Sequence, residues 1–213
     1  MGLLRVEVNG VRLAYALNET PAAAGGGLRT RLLGLWGGPA ADAPAADPLP
    51  CAAVLPEAVA CIRLHLRGSG ESETGTPALL HVEQWAWDVR AFCAVLGIER
   101  PVVLASAANA AVALLYAARN RRHPAGLVLS DPVWQPERIA AWASRERRLD
   151  LPAELARVAC PTLLLASRPE EEASARALAK RLAQAPVRIE RLPGRDPAAA
   201  QILTAGFAVD LEL

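Results

Sequence analysis

The stretch from Val102 to Leu114 constrains this chain most. It reads Val-Val-Leu-Ala-Ser-Ala-Ala-Asn-Ala-Ala-Val-Ala-Leu. A β-branched apolar run gives way to a block of small residues, then to apolar residues at helical spacing. A strand apolar on both faces belongs inside a parallel sheet, and small side chains let a tight turn and a helix lie close against it. The expectation is a buried central strand, a sharp turn after Leu104, and a helix packed on the sheet.

The rest of the chain supplies the partners such a strand needs. Leu4 to Leu17 alternates around Asn9-Gly10, a hairpin signal that gives two antiparallel strands. Thr20 to Thr30 is rich in Ala and Gly and reads as a loop. Leu32 to Leu35 reads as a buried strand, residues 40–50 as loosely structured, and Cys51 to Ala60 as a short helix. Cys61 to Leu66 is the next strand. Val82, Trp85, Val89, Phe92 and Leu96 then recur at intervals of three and four, an amphipathic helix closed by Gly97. After the central strand, a helix runs to about Arg121, Gly126 to Ser130 is a strand, and Pro136 to Arg148 is helical with proline in its first turn. Cys160 to Ala166 is a strand, Glu170 to Gln184 a helix, Val187 to Leu192 the last strand, and a final helix starts near Pro197. Strands alternating with helices predict an α/β protein: a mostly parallel sheet of about eight strands with helices on both faces.

Composition narrows the function classes. The 213 residues suit one domain spanning 1–213, and a hydrophobic content of 53% supplies a full core. A net charge of +1 gives no attraction to nucleic acid or to an anionic membrane surface. Arg121-Arg122 and the run from Arg145 to Arg148 read as solvated helix ends. No leader pattern and no long apolar run are visible, so a cytoplasmic location is expected. The four cysteines, Cys51, Cys61, Cys93 and Cys160, match no zinc spacing and read as reduced, packed thiols; no metal and no cofactor are expected.

Several segments carry a resemblance. Trp36-Gly37-Gly38-Pro39 is similar to the His-Gly-Gly-Pro oxyanion loop of α/β-hydrolases, with Trp in place of His. Leu64-His65-Leu66-Arg67-Gly68-Ser69-Gly70-Glu71-Ser72 resembles the family's Asp-x-Arg-Gly-x-Gly-x-Ser segment, and the central strand-turn-helix resembles its nucleophile elbow. The strands at Leu127 and at Cys160 follow in family order. The resemblance spans nearly the whole chain and implies the α/β-hydrolase fold, with a reduced cap at about 133–158 bearing Ile139 and Trp142.

It also implies a catalytic triad, and here this sequence departs from the pattern. A serine nucleophile needs a base to take its proton. Aligned from the helix side, the nucleophile position is Ala107; aligned from the strand side it is Ser106, which puts the bulky Leu104 where the family has a small residue. The acid position corresponds to Glu170, or to Asp131 at the other acid site of the superfamily, and both residues also suit ordinary caps. The family histidine follows the last strand, where this chain reads Leu192-Pro193-Gly194-Arg195-Asp196-Pro197. Of the three histidines, His65 replaces a turn-stabilising Asp, His81 starts a helix and His123 ends one.

The candidate catalytic residues are therefore Ser106, Asp131 and Glu170. Candidate binding residues are Trp36, Gly37, Gly38, Ala107, Ala108, Trp134 and Trp142, with the elbow helix and the Gly37-Gly38 loop offering backbone donors. Trp side chains point to an aromatic or peptidic ligand. Three functions stay open. One is a non-hydrolytic tailoring enzyme (epimerase, cyclase or acyl transfer) on a small-molecule or peptide substrate of natural-product type. Another is a conventional hydrolase, thioesterase or acyltransferase using Ser106, or a nucleophile-to-alanine variant of one. The last is a non-catalytic binding protein.

Overall fold

The computed structural model describes residues 2–18, 30–38, 59–132, 135–144, 149–192 and 197–211. Its strands are β1 (Leu4–Val8), β2 (Val11–Asn18), β3 (Thr30–Trp36), β4 (Val59–His65), β5 (Val102–Ser106), β6 (Gly126–Ser130), β7 (Thr162–Ala166) and β8 (Val187–Arg191). The helices are α1 (Val82–Val95), α2 (Asn109–Arg119), α3 (Pro136–Ala141), α4 (Leu151–Leu155), α5 (Pro169–Ala179) and α6 (Pro197–Asp210). All eight strands form one sheet in the order β1-β2-β4-β3-β5-β6-β7-β8. The hairpin β1-β2 is antiparallel, β2 is antiparallel to β4, and every other pairing is parallel.

The pleat of the inner strands explains why their sequences are apolar throughout. Val103 and Ala105 face one core with Leu127, Leu129 and Leu164, where α1, α2 and α5 pack. Val102 and Leu104 face the other core with Val128, Leu163 and Leu165, covered by Phe207 and Ala208 of α6. β5 lies between β3 and β6, so both its faces are buried and both its edges are paired. The small residues of α2 let that helix sit close on the sheet: Ala110, Ala111, Ala113, Ala117 and Ala118 are all buried.

A buried ion pair joins three segments. Arg67 Nε is 2.7 Å from Asp88 Oδ2, and both side chains are fully enclosed. Asp88 Oδ1 also accepts from Asn9 Nδ2 at 2.8 Å and Gln84 Nε2 at 2.9 Å. Trp85 Nε1 donates to the Arg67 carbonyl at 3.0 Å. This network pins the β1-β2 turn, the loop after β4, and α1 together.

Some local expectations change. Val59 and Ala60 open β4, so the helix expected from Cys51 cannot extend to Ala60; its residues 51–58 lie outside the described residues, as does most of the Thr20 to Thr30 segment. The helix expected from Pro136 to Arg148 ends at Ala141, where Trp142 leaves the helical path with ψ 0. A separate helix, α4, follows Asp150, whose carboxylate caps it by accepting from the Ala153 N–H at 3.2 Å. α5 ends at Ala179 instead of Gln184. Cys61, Cys93 and Cys160 are buried free thiols. Among the described residues, no helix is long and apolar enough to cross a membrane.

Candidate functional site

The parallel strands deliver their last residues to one edge of the sheet. Trp36 of β3 stands beside His65 of β4, and Ser106 of β5 beside Ser130 of β6. Ligands of open α/β sheets bind beyond such carboxyl ends.

The elbow follows β5. Ala107 has φ 47, a left-handed backbone that an L-residue adopts only under constraint. Its N–H donates to the Ser130 carbonyl at 2.9 Å, and its own carbonyl accepts from Ala110 N–H as α2 begins. Ala107 therefore occupies the sharp turn between strand and helix, and Ser106 is the final strand residue. Alternation places Ser106 on the face of Val102 and Leu104, and its Oγ is buried without a hydrogen-bond partner among the described residues. Among the described residues no side chain caps α2; its Ala110 and Ala111 N–H groups donate to the Ala107 and Ala108 carbonyls, which leaves those of Ala108 and Asn109 without a backbone acceptor there. Ala108 is buried at the start of that turn.

The loop after β3 is drawn tightly onto the loop after β4. Gly37 and Gly38 have φ of +86 and +72, and a Cβ on Gly37 would lie 2.1 Å from Ser69 Cβ, so only glycine fits. The Gly38 N–H donates to Ser69 Oγ at 2.7 Å. The backbone donor expected there for a ligand is thus engaged within the protein, a correction with a plain cause: the two loops touch, and Ser69 satisfies the amide. Asn109 Nδ2 donates to the Leu35 carbonyl at 3.3 Å, fastening the elbow helix to β3.

Trp36 is half-buried, and its ring lies 4.7 Å from that of His65. His65 Nδ1 accepts from the Glu71 N–H at 3.3 Å, and burial, followed by the charge of Arg63, lowers its pKa. A neutral imidazole does here what an Asp does in the resembling segment: it holds the turn. His123 is likewise engaged, sharing a hydrogen bond with the Tyr116 hydroxyl.

Asp131 follows β6 with φ 46, and its N–H donates to the Leu165 carbonyl at 2.8 Å. Its Oδ1 accepts from the Ser167 N–H at 2.8 Å, and its Oδ2 lies 2.7 Å from Ser167 Oγ. Burial raises the Asp131 pKa, against the hydrogen bonds from Ser167. Glu171 Oε2 is 2.8 Å from the same Ser167 Oγ, and Arg168 Nε donates to Glu171 Oε1 at 2.8 Å. Burial would push Glu171 up, but the bonds from Arg168, Ser167 and Asp131 outweigh it and hold the carboxyl at about 2.

The candidates divide accordingly. Trp36, Gly37, Gly38, Ser106, Ala107, Ala108 and Asp131 all stand at the carboxyl edge or in the turns that leave it. Glu170 does not join Asp131: it is exposed and paired with Arg168 at 3.3 Å. Ser167 and Glu171, which do join Asp131, carried no distinct sequence signal, because Ser-Arg-Pro-Glu-Glu-Glu reads as a helix start whichever acid faces inward. Trp142 packs against the core under α1, its carbonyl accepting from Val82 N–H at 2.8 Å. Trp134 and the loop 193–196 lie outside the described residues. A groove of about 840 Å³ opens elsewhere, between α1, the end of α2, and α4, lined by Trp87, Arg90, Arg119 and Arg157, and no elbow residue lines it.

No protein-family model matches the chain, and no curated protein gives a significant match. Solved structures do match over nearly its full length. The haloalkane dehalogenase DbeA from Bradyrhizobium elkani superposes with a TM-score of 0.67 at 18% identity, covering 99% of this chain and 98% of its own. The enol-lactonase from Burkholderia xenovorans gives 0.67 at 18% identity, covering 98% and 99%. A membrane phospholipase A described as a bacterial virulence factor gives 0.66 at 19% identity, covering 99% and 84%. With the strand order and the elbow, these matches define the class: the chain has the α/β-hydrolase fold. At such identity the likeness is one of fold.

Proposed function

We propose that this chain is an atypical α/β-hydrolase-fold protein that does not hydrolyse through a serine triad, and that its elbow serves a tailoring reaction (epimerisation, cyclisation or acyl transfer) on a small-molecule or peptide substrate of natural-product type. The observation that carries this reading is Ala107 at the left-handed elbow position. A methyl group there has no nucleophilic atom. The neighbouring hydroxyl, Ser106 Oγ, is buried and has no hydrogen-bond partner among the described residues. The imidazole of His65, at this edge, accepts from Glu71 N–H and lies tilted against the Trp36 ring.

What remains suits a ligand better than a covalent intermediate. The N–H groups of Ala108 and Asn109, at the start of α2, are the ones that could serve a carbonyl or enolate oxygen, and Trp36 offers an aromatic wall. Asp131, the residue directly after β6, the strand that pairs with β5, is the proposed acid or base. The test is turnover of activated aryl esters by wild type, Ser106→Ala and Ala107→Ser, with a serine-directed fluorophosphonate probe alongside. The expected result is no turnover and no labelling in wild type. Strong wild-type hydrolysis abolished by Ser106→Ala overturns the reading in favour of a conventional hydrolase.

A further inference from the structure

Ser167 Oγ stands between two carboxyl groups, 2.7 Å from Asp131 Oδ2 and 2.8 Å from Glu171 Oε2. A serine hydroxyl carries one hydrogen and can donate it to only one of them. If both acids are ionised, the other short contact sets lone pairs against lone pairs. One added proton gives both contacts a hydrogen. We propose that Asp131 and Glu171 hold one proton between them across Ser167 Oγ, forming a latch that joins the end of β6 to the first turn of α5 and presents a neutral carboxyl group at the carboxyl edge of the sheet.

The direction of the chain of bonds follows from the cation. Arg168 Nε donates to Glu171 Oε1 at 2.8 Å, which keeps Glu171 the ionised member. Asp131 then bears the proton and donates through Oδ2 to Ser167 Oγ. Ser167 in turn donates to Glu171 Oε2. The Ser167 N–H still donates to Asp131 Oδ1, so the carboxyl group stays fixed in either state. Two like charges this close do not both ionise readily, as in paired carboxyl groups generally.

The surroundings fit a shared proton. Asp131 is half-buried and Ser167 is buried. Among the described residues, the charged groups acting on the pair are Arg168 and, through its pairing with Arg168, Glu170. Ser130, Leu165 and Ala166 of the adjoining strands and Ala107 and Ala108 of the elbow carry no charge. Ser174 Oγ donates to the Pro132 carbonyl at 2.9 Å, a second tie between the end of β6 and α5 that does not titrate. Loss of the shared proton therefore weakens one of two fastenings and leaves two carboxylates facing one hydroxyl.

The inference touches the function proposed above at one point: a neutral Asp131 gives a proton to a ligand, whereas an ionised one takes a proton. Its test needs no substrate, so its failure is distinct from failure of that reading. The full chain carrying carbon-13 in its Asp and Glu carboxyl groups is titrated by NMR, with Asp131→Asn and Glu171→Gln supplying the assignments. The expected result is an Asp131 midpoint above that of an ordinary aspartate, falling by about one pH unit or more in Glu171→Gln, since the paired charge is gone. An Asp131 midpoint at the ordinary value, or one unmoved by Glu171→Gln, overturns the proposal. Thermal unfolding gives a second reading. The wild-type midpoint temperature falls relative to that of Asp131→Asn as pH rises through the Asp131 titration. A difference between the two proteins that does not change with pH also overturns the latch.

Discussion

The N–H of Ala107 donates to the carbonyl of Ser130 at 2.9 Å, across the ends of two parallel strands. This bond and the turn into α2 hold Ala107 in its left-handed conformation. The turn between β5 and α2 is thus a strained corner occupied by an alanine.

Strain at Ala107 makes the first prediction. A left-handed alanine costs roughly 1–2 kcal/mol, which glycine avoids, while glycine loses roughly 0.5–1 kcal/mol in chain entropy. Ala107→Gly should leave stability unchanged or raise it by up to about 1 kcal/mol. Ala113→Gly, one turn into α2, should lose about 1 kcal/mol or more. Urea denaturation of both variants is the measurement, and a large loss in Ala107→Gly would contradict the strain. Ala107→Ser should stay nearly inactive on aryl esters, because a serine without its base is a poor nucleophile.

The Arg67–Asp88 pair makes the second. Breaking a buried ion pair from one side leaves an uncompensated charge, at a cost of about 3–5 kcal/mol. Asp88→Ala and Arg67→Ala should each cost that much, since Asp88 also anchors Asn9 and Gln84. The double variant should cost much less than the sum of the two, as residues in one network are coupled. A double-mutant cycle by chemical denaturation measures this, and simple additivity would show that the network is not cooperative.

Acid sensitivity makes the third. Burial lowers the His65 pKa from 6.5, so the folded state prefers neutral imidazole while the unfolded chain takes up a proton more readily. The His65 contribution is fully present above pH 6.5 and is lost as pH falls through the lower, folded value. Protonation also removes the acceptor used by the Glu71 N–H. His123 is lowered in the same sense, by burial first and Arg90 next, so it must be controlled. Thermal unfolding below neutral pH should show a loss that shrinks in His65→Asn and shrinks again when His123→Gln is added. An unchanged slope in both would disprove the assignment.

Thiol reactivity makes the fourth. Burial pushes Cys61 up to about 12, and Cys93 and Cys160 to about 11. The reactive thiolate is scarce at neutral pH and shielded as well. Iodoacetamide followed by peptide mapping should leave these three unmodified in the native protein and modify all three in denaturant. Fast native modification of Cys61 would mean that β4 opens readily.

Much of the fold was legible in the amino-acid order because local signals agreed with the global pattern. Asn9-Gly10 set the hairpin, the apolar run at Val102 set the central strand, and the spacing from Val82 to Phe92 set α1. Proline in the first turn marks where α3 starts but not where it stops, so the expected extension to Arg148 overshoots Ala141, and the Asp150 cap and Pro152 begin a separate helix. Position along the chain also fixed that the elbow offered alanine or serine, and that no histidine follows His123.

Which of the two residues holds the corner was decided only in three dimensions, by the backbone of Ala107 and its bond to Ser130. The same is true of the acid beside Asp131. Glu170, Glu171 and Glu172 are alike as a sequence, yet helical rotation turns Glu171 toward Ser167 and leaves Glu170 in solvent with Arg168. The physical reason is that sequence patterns specify faces and turns within an element, whereas a site at a sheet edge is assembled from the ends of several elements. Its distances depend on strand register and on the first turn of each helix, and these are set by packing across the whole sheet.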